Sequence, residues 1–209
     1  MCGLLHRNVS TRGLVVLASG NGSNFEAIVK ASNEGLLNAE IAQLIVDRDC
    51  HAIERARKLS VPCRKLNESW RSDLETLLDE ISPSLVVLAG FLRILPKRIV
   101  KKWRWKILNI HPSLLPAFPG MHAIRKAYEH GVKVTGITIH FVDEGVDTGP
   151  IILQKAIEVD PAWSLSELEE RIHKLEHYWY SRTIEVILNG GWHIEGRRVF
   201  IEKDTRQLV

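Results

Sequence analysis

The segment NIHPSLLPAFPG, at residues 109–120, holds the side chains best suited to chemistry in this sequence. Asn109 and His111 stand two positions apart, so on an extended backbone their side chains share one face. An amide and an imidazole placed in this way can bind an oxygen that becomes negative during acyl transfer, and the imidazole can also carry protons. No Gly-x-Ser-x-Gly motif or cysteine lies beside them. The pattern therefore favours direct transfer over a covalent enzyme intermediate.

An acidic loop further along the chain offers a carboxylate that could orient His111. The loop, DEGVDTGP at residues 143–150, contains Asp143, Glu144 and Asp147. Taken alone, the acidic loop is more commonly a solvated turn. Taken alone, His111 is more commonly a structural histidine whose hydrogen bonds are satisfied. Their occurrence together with a phosphate-type loop makes a joint site the better interpretation.

That third feature is the glycine loop SGNGSN at residues 19–24. It follows an apolar strand and precedes a helix, so backbone N–H groups and the positive end of the helix dipole converge on one point, which suits phosphate. The dinucleotide motif G-x-G-x-x-G fails because residue 25 is Phe, and the Walker A motif is absent. A monophosphate is the expected ligand. The alternative is a simple turn before a helix that is capped by Ser23 and Glu26.

The elements that must position these residues alternate along the first half of the chain. Apolar runs that predict strands occupy residues 14–18, 39–46, 61–66, 85–89 and 106–110. Segments with helical spacing occupy residues 23–32, 51–59 and 69–81. Strands that alternate with helices of about ten residues are typical of βαβ units, so the sequence predicts an α/β protein with a doubly wound, mainly parallel sheet.

The second half differs, because two predicted strands, at 134–141 and 151–159, flank the acidic loop. A long helix is expected to begin at Ser164, and a hairpin to turn near Glu195 and Gly196. The core stripe of the long helix is expected at Leu165, Leu168, Ile172, Leu175 and Trp179. These elements predict a C-terminal mixed extension of the sheet.

We expect one domain over residues 1–209. Its parts are an N-terminal extension (1–13), a phosphate-binding half (14–105), a catalytic half (106–190), and a C-terminal hairpin and tail (191–209).

Composition limits the partners and the compartment. The formal charge is +3, and lysine and arginine are dispersed along the chain, so no nucleic acid is expected as a partner. No apolar run approaches the roughly 20 residues that cross a membrane. Three cysteines without a CxxC motif fit a reducing compartment. We expect a cytoplasmic monomer or homodimer that acts on small molecules.

Five separated motifs together resemble those of the phosphoribosylglycinamide formyltransferases, a folate-dependent formyltransferase family of purine synthesis. These are SGNGSN, LAGFLRIL, NIHPSLLPAFPG, DEGVDTGP and HKLEH, in the family's order, and the resemblance runs from residue 14 to residue 188. It implies the family's formyltransferase fold and direct transfer of the formyl group of the co-substrate 10-formyltetrahydrofolate to the amine of 5-phosphoribosylglycinamide. It implies no metal.

The resemblance also implies roles for individual residues. Asn109 and His111 would stabilise the oxyanion of the tetrahedral intermediate, while Asp147 would keep His111 protonated and relay a proton through water. The implied substrate-binding residues are Gly22, Ser23 and Asn24 at the phosphate and His173, Lys174, Leu175 and Glu176, the last at the ribose hydroxyls. The implied folate-binding residues are Arg71, Leu92, Arg93, Ile94, Leu95, Asn109, Asp143, Glu144, Gly145, Val146 and Asp147.

Other functions remain open from the residues alone. The segment HKLEH, at 173–177, matches the H-x-x-E-H signature of some zinc proteases, and His111, His140 and Asp147 could form a two-histidine, one-carboxylate metal site. Methionyl-tRNA formyltransferase and formyltetrahydrofolate hydrolase resemble the same core, but each carries an added domain that 209 residues do not accommodate. A non-catalytic nucleotide-binding module would leave Asn109, His111 and Asp147 without a purpose.

Overall fold

The computed structural model describes residues 13–202. Residues 1–12 and 203–209 lie outside the described residues. The expected N-terminal extension is therefore described only at Gly13, which begins the first strand, and the expected basic tail is described only up to Glu202.

The described elements follow the predicted alternation. The strands are β1 (Gly13–Ala18), β2 (Glu40–Val46), β3 (Cys63–Lys65), β4 (Leu85–Leu88), β5 (Ile107–His111), β6 (Val134–Phe141), β7 (Ile151–Glu158), β8 (Trp192–Glu195) and β9 (Arg198–Ile201). The helices are α1 (Ser23–Asn33), α2 (His51–Lys58), α3 (Trp70–Ile81), α4 (Lys97–Lys102), α5 (Ala123–Glu129) and α6 (Leu165–Asn189).

All of these strands belong to one sheet in the order β3-β2-β1-β4-β5-β6-β7-β9-β8. The five strands from β3 to β5 pair in parallel, whereas β5–β6 and β6–β7 pair antiparallel. The strands β8 and β9 form the predicted hairpin, and β9 extends the sheet beside β7. The prediction of a mainly parallel α/β sheet with a mixed C-terminal extension is confirmed.

Alternating residues of the central strands feed two apolar cores, one on each face of the sheet. Leu14 and Val16 of β1 pack with residues of α1, α2, α5 and α6, whereas Val15 and Leu17 pack with residues of α3 and α4. Strands that are buried on both faces read as continuous apolar runs, which explains LVVLA at both β1 and β4.

Two local features of the fold differ from the predictions. The predicted helix start at Ser164 is confirmed by a capping box with Glu167, but the core stripe of α6 is shifted. Leu168 and Ile172 are buried as predicted, whereas Leu175 and Trp179 are half-buried. The buried positions that follow Ile172 are instead Glu176 and Tyr180, which both carry polar groups. The short helices α4 and α5 were not predicted, because six or seven residues give too little periodicity to detect.

Candidate active site

A cleft of about 640 Å³ opens at the carboxyl ends of β1, β4 and β5, where open α/β sheets bind ligands. Its wall contains residues from all five motifs. The predicted site residues that line it are Gly22, Ser23, Asn24, Leu92, Arg93, Ile94, Asn109, His111, Asp143, Gly145, Val146, Asp147, His173 and Glu176. The structure thus gathers, around one cavity, residues that are as far apart in the chain as Gly22 and Glu176.

Asp147 is the carboxylate of the acidic loop that reaches His111. Its Oδ2 accepts a hydrogen bond from the Gly120 amide at 2.8 Å and lies 3.3 Å from Nδ1 of His111. The residue adopts a φ of 54°, a left-handed conformation that aspartate tolerates better than most residues. Asp143, by contrast, accepts from the backbone of Gly145 at 3.0 Å and so stabilises the turn itself.

His111 is buried between two acceptors. Its Nε2 lies 2.9 Å from the carbonyl oxygen of Phe118, and its Nδ1 faces the carboxylate of Asp147. Neither a carbonyl nor an ionised carboxylate can donate, so the ring satisfies both neighbours when both of its nitrogens carry protons. The loop of the NIHPSLLPAFPG motif therefore folds back to contact its own histidine.

Asn109 is oriented by a histidine on the neighbouring strand. In the antiparallel register of β5 and β6, Asn109 stands directly opposite His140. Nδ1 of His140 lies 2.8 Å from the Phe141 carbonyl and so donates to it, which leaves Nε2 to accept from Nδ2 of Asn109 at 3.2 Å. Burial lowers the pKa of His140, which favours this neutral tautomer. The second amide hydrogen of Asn109 faces Oδ1 of Asp147, at 3.4 Å.

The glycine loop presents the free start of α1 to the cleft. Gly22 is the N-cap with φ 77°, and a Cβ added to it would lie 2.7 Å from the Cβ of Ala52 in α2, so only glycine fits. The predicted capping box of Ser23 and Glu26 is wrong, because Ser23 is already helical and no side chain caps this end. Glu26 instead pairs with Lys30, and with Arg55 of α2. The first N–H groups of α1 therefore remain available to an anion.

Glu176 is a buried carboxylate that α6 holds next to the start of α1. Its Oε2 accepts from Nδ2 of Asn24 at 3.0 Å and from Nδ1 of His173 at 2.8 Å. The hydrogen bond with Glu176 raises the pKa of His173. One turn later, the hydroxyl of Tyr180 donates to backbone carbonyls of β4 and β5, at 2.9 and 3.2 Å. Tyr180 thus fixes α6 against the strand ends and keeps Glu176 in the cleft.

Two buried polar atoms in this region have no partner within residues 13–202. They are Oδ1 of Asn24 and Nε2 of His177, and both residues line the cleft. Because buried polar groups are normally hydrogen-bonded, a further partner, water or ligand, is expected at these two atoms.

The metal-site alternatives can be compared with this geometry. In the segment 173–177, the rings of His173 and His177 stack with their centroids 6.3 Å apart, and Glu176 is engaged by Asn24 and His173. Within residues 13–202, no three His, Cys, Asp or Glu side chains are arranged to hold a metal ion.

The mouth of the cleft is apolar. Four large apolar side chains that line it remain exposed to solvent: Leu92, Ile94, Met121 and Val146. An exposed apolar rim beside convergent polar groups is typical of a binding site for a small molecule that has an apolar part.

Five predicted site residues do not line this cleft. Arg71 lies on α3, and Leu95 is buried in the core on the α3 and α4 face of the sheet. Glu144 lines a smaller neighbouring cavity. Lys174 is exposed and forms an ion pair within α6, while Leu175 packs against the core. Conversely, Met121 and His122 line the cleft although no sequence motif points to them, and the sequence indicates His140 only as a possible metal ligand.

Comparisons with known proteins point in one direction. The family model described as formyl transferase matches residues 12–184. Phosphoribosylglycinamide formyltransferase from Bacillus subtilis (strain 168) is 46% identical over 181 residues, which cover 83% of this chain and 93% of the relative. The trifunctional purine biosynthetic protein adenosine-3 of Homo sapiens is 39% identical over 85% of this chain, a match that covers 18% of that longer protein.

A solved structure agrees with these sequence relatives. Glycinamide ribonucleotide transformylase 1 from Symbiobacterium toebii superposes with a TM-score of 0.89 and is 40% identical, with 95% of this chain and 98% of that chain covered. Among residues 13–202, no helix has both the length and the apolar character that a membrane crossing requires.

Proposed function

This chain belongs to the formyl transferase family and, within it, to the phosphoribosylglycinamide formyltransferases, and we propose that Asn109, His111 and Asp147 carry out its reaction. Enzymes of this group use 10-formyltetrahydrofolate as the co-substrate in purine biosynthesis. The formyl group passes directly to the amine of 5-phosphoribosylglycinamide.

The ribonucleotide binds at the end of the cleft formed by α1 and α6. Its phosphate receives hydrogen bonds from the free N–H groups at Gly22, Ser23 and Asn24, assisted by the helix dipole. Glu176 accepts from the ribose hydroxyls, since its buried carboxylate is already fixed by Asn24 and His173. This placement directs the amine towards the strand ends of β4 and β5.

The folate occupies the apolar mouth. Its pterin ring lies between the segment at residues 92–94 and the loop at residues 143–147, where Leu92, Ile94 and Val146 offer apolar surface. Backbone groups of these two segments supply the hydrogen bonds that fix the ring. The formyl group then points inwards, to Asn109 and His111.

The chemistry requires positioning, an oxyanion donor and a path for one proton. The amine nitrogen attacks the formyl carbon, and the carbonyl oxygen becomes negative. Nδ2 of Asn109 turns its second hydrogen from the 3.4 Å contact with Asp147 to this oxygen. His111 turns one ring N–H from its present acceptor, the Phe118 carbonyl or the Asp147 carboxylate, to donate to the same oxygen. The bond from the carbon to the folate nitrogen then breaks. One proton leaves the amine through water and Asp147, and one reaches the folate nitrogen.

One observation carries this proposal: on the wall of the cleft, the carboxylate of Asp147 lies 3.3 Å from Nδ1 of His111 and 3.4 Å from Nδ2 of Asn109. The test is an absorbance assay with purified protein, 10-formyltetrahydrofolate and 5-phosphoribosylglycinamide. We expect folate turnover that depends on the amine. Turnover at the same rate with water as the only acceptor would contradict the proposal and favour a hydrolase.

We further propose that residues 1–209 act as one domain, with the phosphate-binding half at 14–105, the catalytic half at 106–190 and the C-terminal hairpin and tail at 191–209. The protein acts in the cytoplasm, as a monomer or homodimer, on small molecules and without a nucleic acid partner. Size-exclusion chromatography with light scattering would distinguish the two oligomeric states.

A further inference from the structure

A buried carboxylate beside the cleft has no part in the chemistry above. Asp47 follows the last residue of β2, and its side chain is only 2% exposed. Its Oδ2 accepts from Nη2 of Arg48 and from Nε of Arg93, each at 2.8 Å. Burial opposes the charge, but hydrogen bonds from Arg48, Ser19 and Arg93 lower the pKa of Asp47 to about 2. An ionised carboxylate is retained here because its donors satisfy it.

Ser19 joins this carboxylate to the loop at the mouth of the cleft. Its backbone N–H donates to the carbonyl of Gly90 at 3.0 Å, and its Oγ accepts from the amide of Leu92 at 2.8 Å. The hydroxyl of Ser19 also lies beside Asp47, since it helps to lower the pKa of that carboxylate. Segment 90–93 is therefore held at three successive points: the Gly90 carbonyl, the Leu92 amide and the Arg93 side chain.

We propose that Ser19 and Asp47 form a positioning clamp that holds segment 90–93 in the conformation that binds the folate co-substrate. This inference rests on the function proposed above. Leu92 is half-exposed at the cleft mouth, and a loop that presents exposed apolar side chains has little packing to fix it. The hydrogen bonds that Ser19 and Asp47 make with this segment supply the rigidity that its packing lacks.

The clamp also determines how Arg93 faces its ligand. Only Nε of Arg93 contacts Asp47, and within residues 13–202 neither of its terminal nitrogens has an acceptor. Its guanidinium lies 5.9 Å from the ring of Trp70, which supports one side of the plane. Two donors of a fixed, planar guanidinium are therefore presented at the mouth, in the arrangement that suits a carboxylate. Folates carry carboxylates at the end remote from the pterin.

The test measures the affinity of the folate and the chemical step separately. In Asp47→Asn, the Kd for 10-formyltetrahydrofolate, measured by titration calorimetry, and its KM should both rise about tenfold, which is about 1.4 kcal/mol. The kcat should stay within twofold, and the KM for 5-phosphoribosylglycinamide should not change. Ser19→Ala, a small change that preserves packing, should raise the same two folate constants. Asp49→Asn is the matched control, because Asp49 is exposed and pairs with Lys65.

A double variant tests whether Asp47 acts through Arg93. Adding Asp47→Asn to Arg93→Ala should change the folate Kd less than twofold further, whereas additive effects would refute the connection. Folate constants within twofold of wild type in both Asp47→Asn and Ser19→Ala would overturn the clamp, even if the wild type transfers formyl normally. If the wild type binds folate without transferring it, the proposed function fails and the Kd values still decide about the clamp.

Discussion

Replacing Asp147 by asparagine changes the centre of the proposed site with little change in shape. Oδ2 of Asp147 accepts from the Gly120 amide at 2.8 Å and faces His111 at 3.3 Å, so the asparagine oxygen will keep this position. The new NH₂ group then takes the place of Oδ1. There it faces Nδ2 of Asn109, 3.4 Å away, so that two hydrogen-bond donors oppose each other. It also faces Nε2 of His140, 3.8 Å away, which can accept a hydrogen bond.

The consequence falls on Asn109. The new NH₂ competes for the acceptor on His140 that orients the Asn109 amide, and no carboxylate remains to receive the proton from the reaction. Loss of one oxyanion donor typically lowers kcat by about 100- to 1000-fold, or about 3–4 kcal/mol of barrier. We expect Asp147→Asn to fall in this range. Asparagine tolerates the φ of 54°, so the free energy of unfolding should change by no more than about 1 kcal/mol.

The assay is steady-state formyl transfer followed by folate absorbance, alongside urea unfolding of the same samples. Asp160→Asn is the control, since Asp160 also accepts from a backbone amide, that of Ala162 at 2.8 Å, in an exposed turn. Its kcat should equal that of wild type. A folded Asp147→Asn protein whose kcat stays within about threefold of wild type would refute the role of the carboxylate. A change confined to the folate KM would assign Asp147 to binding alone.

Three further changes follow from the same contacts. His140→Phe keeps an aromatic ring at this position but removes the acceptor of the Asn109 amide, so kcat should fall about tenfold with the KM values nearly unchanged. An equal effect on KM would argue against an orienting role. Gly22→Ala should lower the free energy of unfolding by at least about 2 kcal/mol in urea titrations, because left-handed backbone costs about 1–2 kcal/mol and the new Cβ meets α2. Gly35→Ala is the control, because Gly35 has a φ of 75° and open space around it, so its free energy of unfolding should fall only by the cost of the left-handed backbone. Glu176 raises the pKa of His173, so this pair adds stability that is complete below about pH 6.5 and is lost as pH rises through the folded-state pKa. In His173→Gln, a series of urea titrations across these pH values should lack that decline.

Much of the site was predictable because strands impose simple geometry. The two-residue spacing of Asn109 and His111 places both side chains on one face of β5, and the end of that strand lies at the ligand-binding edge of a parallel sheet. The glycine loop was also identified correctly as a feature of that edge. The prediction that Ser23 caps the helix is wrong, because Gly22, with its left-handed φ, is the N-cap and Ser23 is already the first helical residue.

His140 could not be located from the sequence, since its role depends on which residue it opposes. The strands β5 and β6 are joined by more than twenty residues that include a helix, not by a short turn that would fix the register. The antiparallel pairing that sets His140 against Asn109 is therefore a property of the folded sheet. The register between β5 and β6 depends on how the whole sheet packs, so it cannot be inferred from the sequence of either strand alone.

In α6, by contrast, the sequence does contain a pattern that indicates the site. The buried positions Leu168, Ile172, Glu176 and Tyr180 follow one another at intervals of four, so the two polar residues occupy the core-facing stripe. A stripe drawn only through apolar residues moves to Leu175 and Trp179 and misses this. A carboxylate at a core-facing position costs stability unless partners satisfy it. Asn24 and His173 supply those partners, and the same carboxylate faces the cleft. The apolar pattern of α6 is therefore interrupted where a core-facing side chain, Glu176, contributes to the cleft instead of to apolar packing. Such a local departure from the pattern is expected at a functional position.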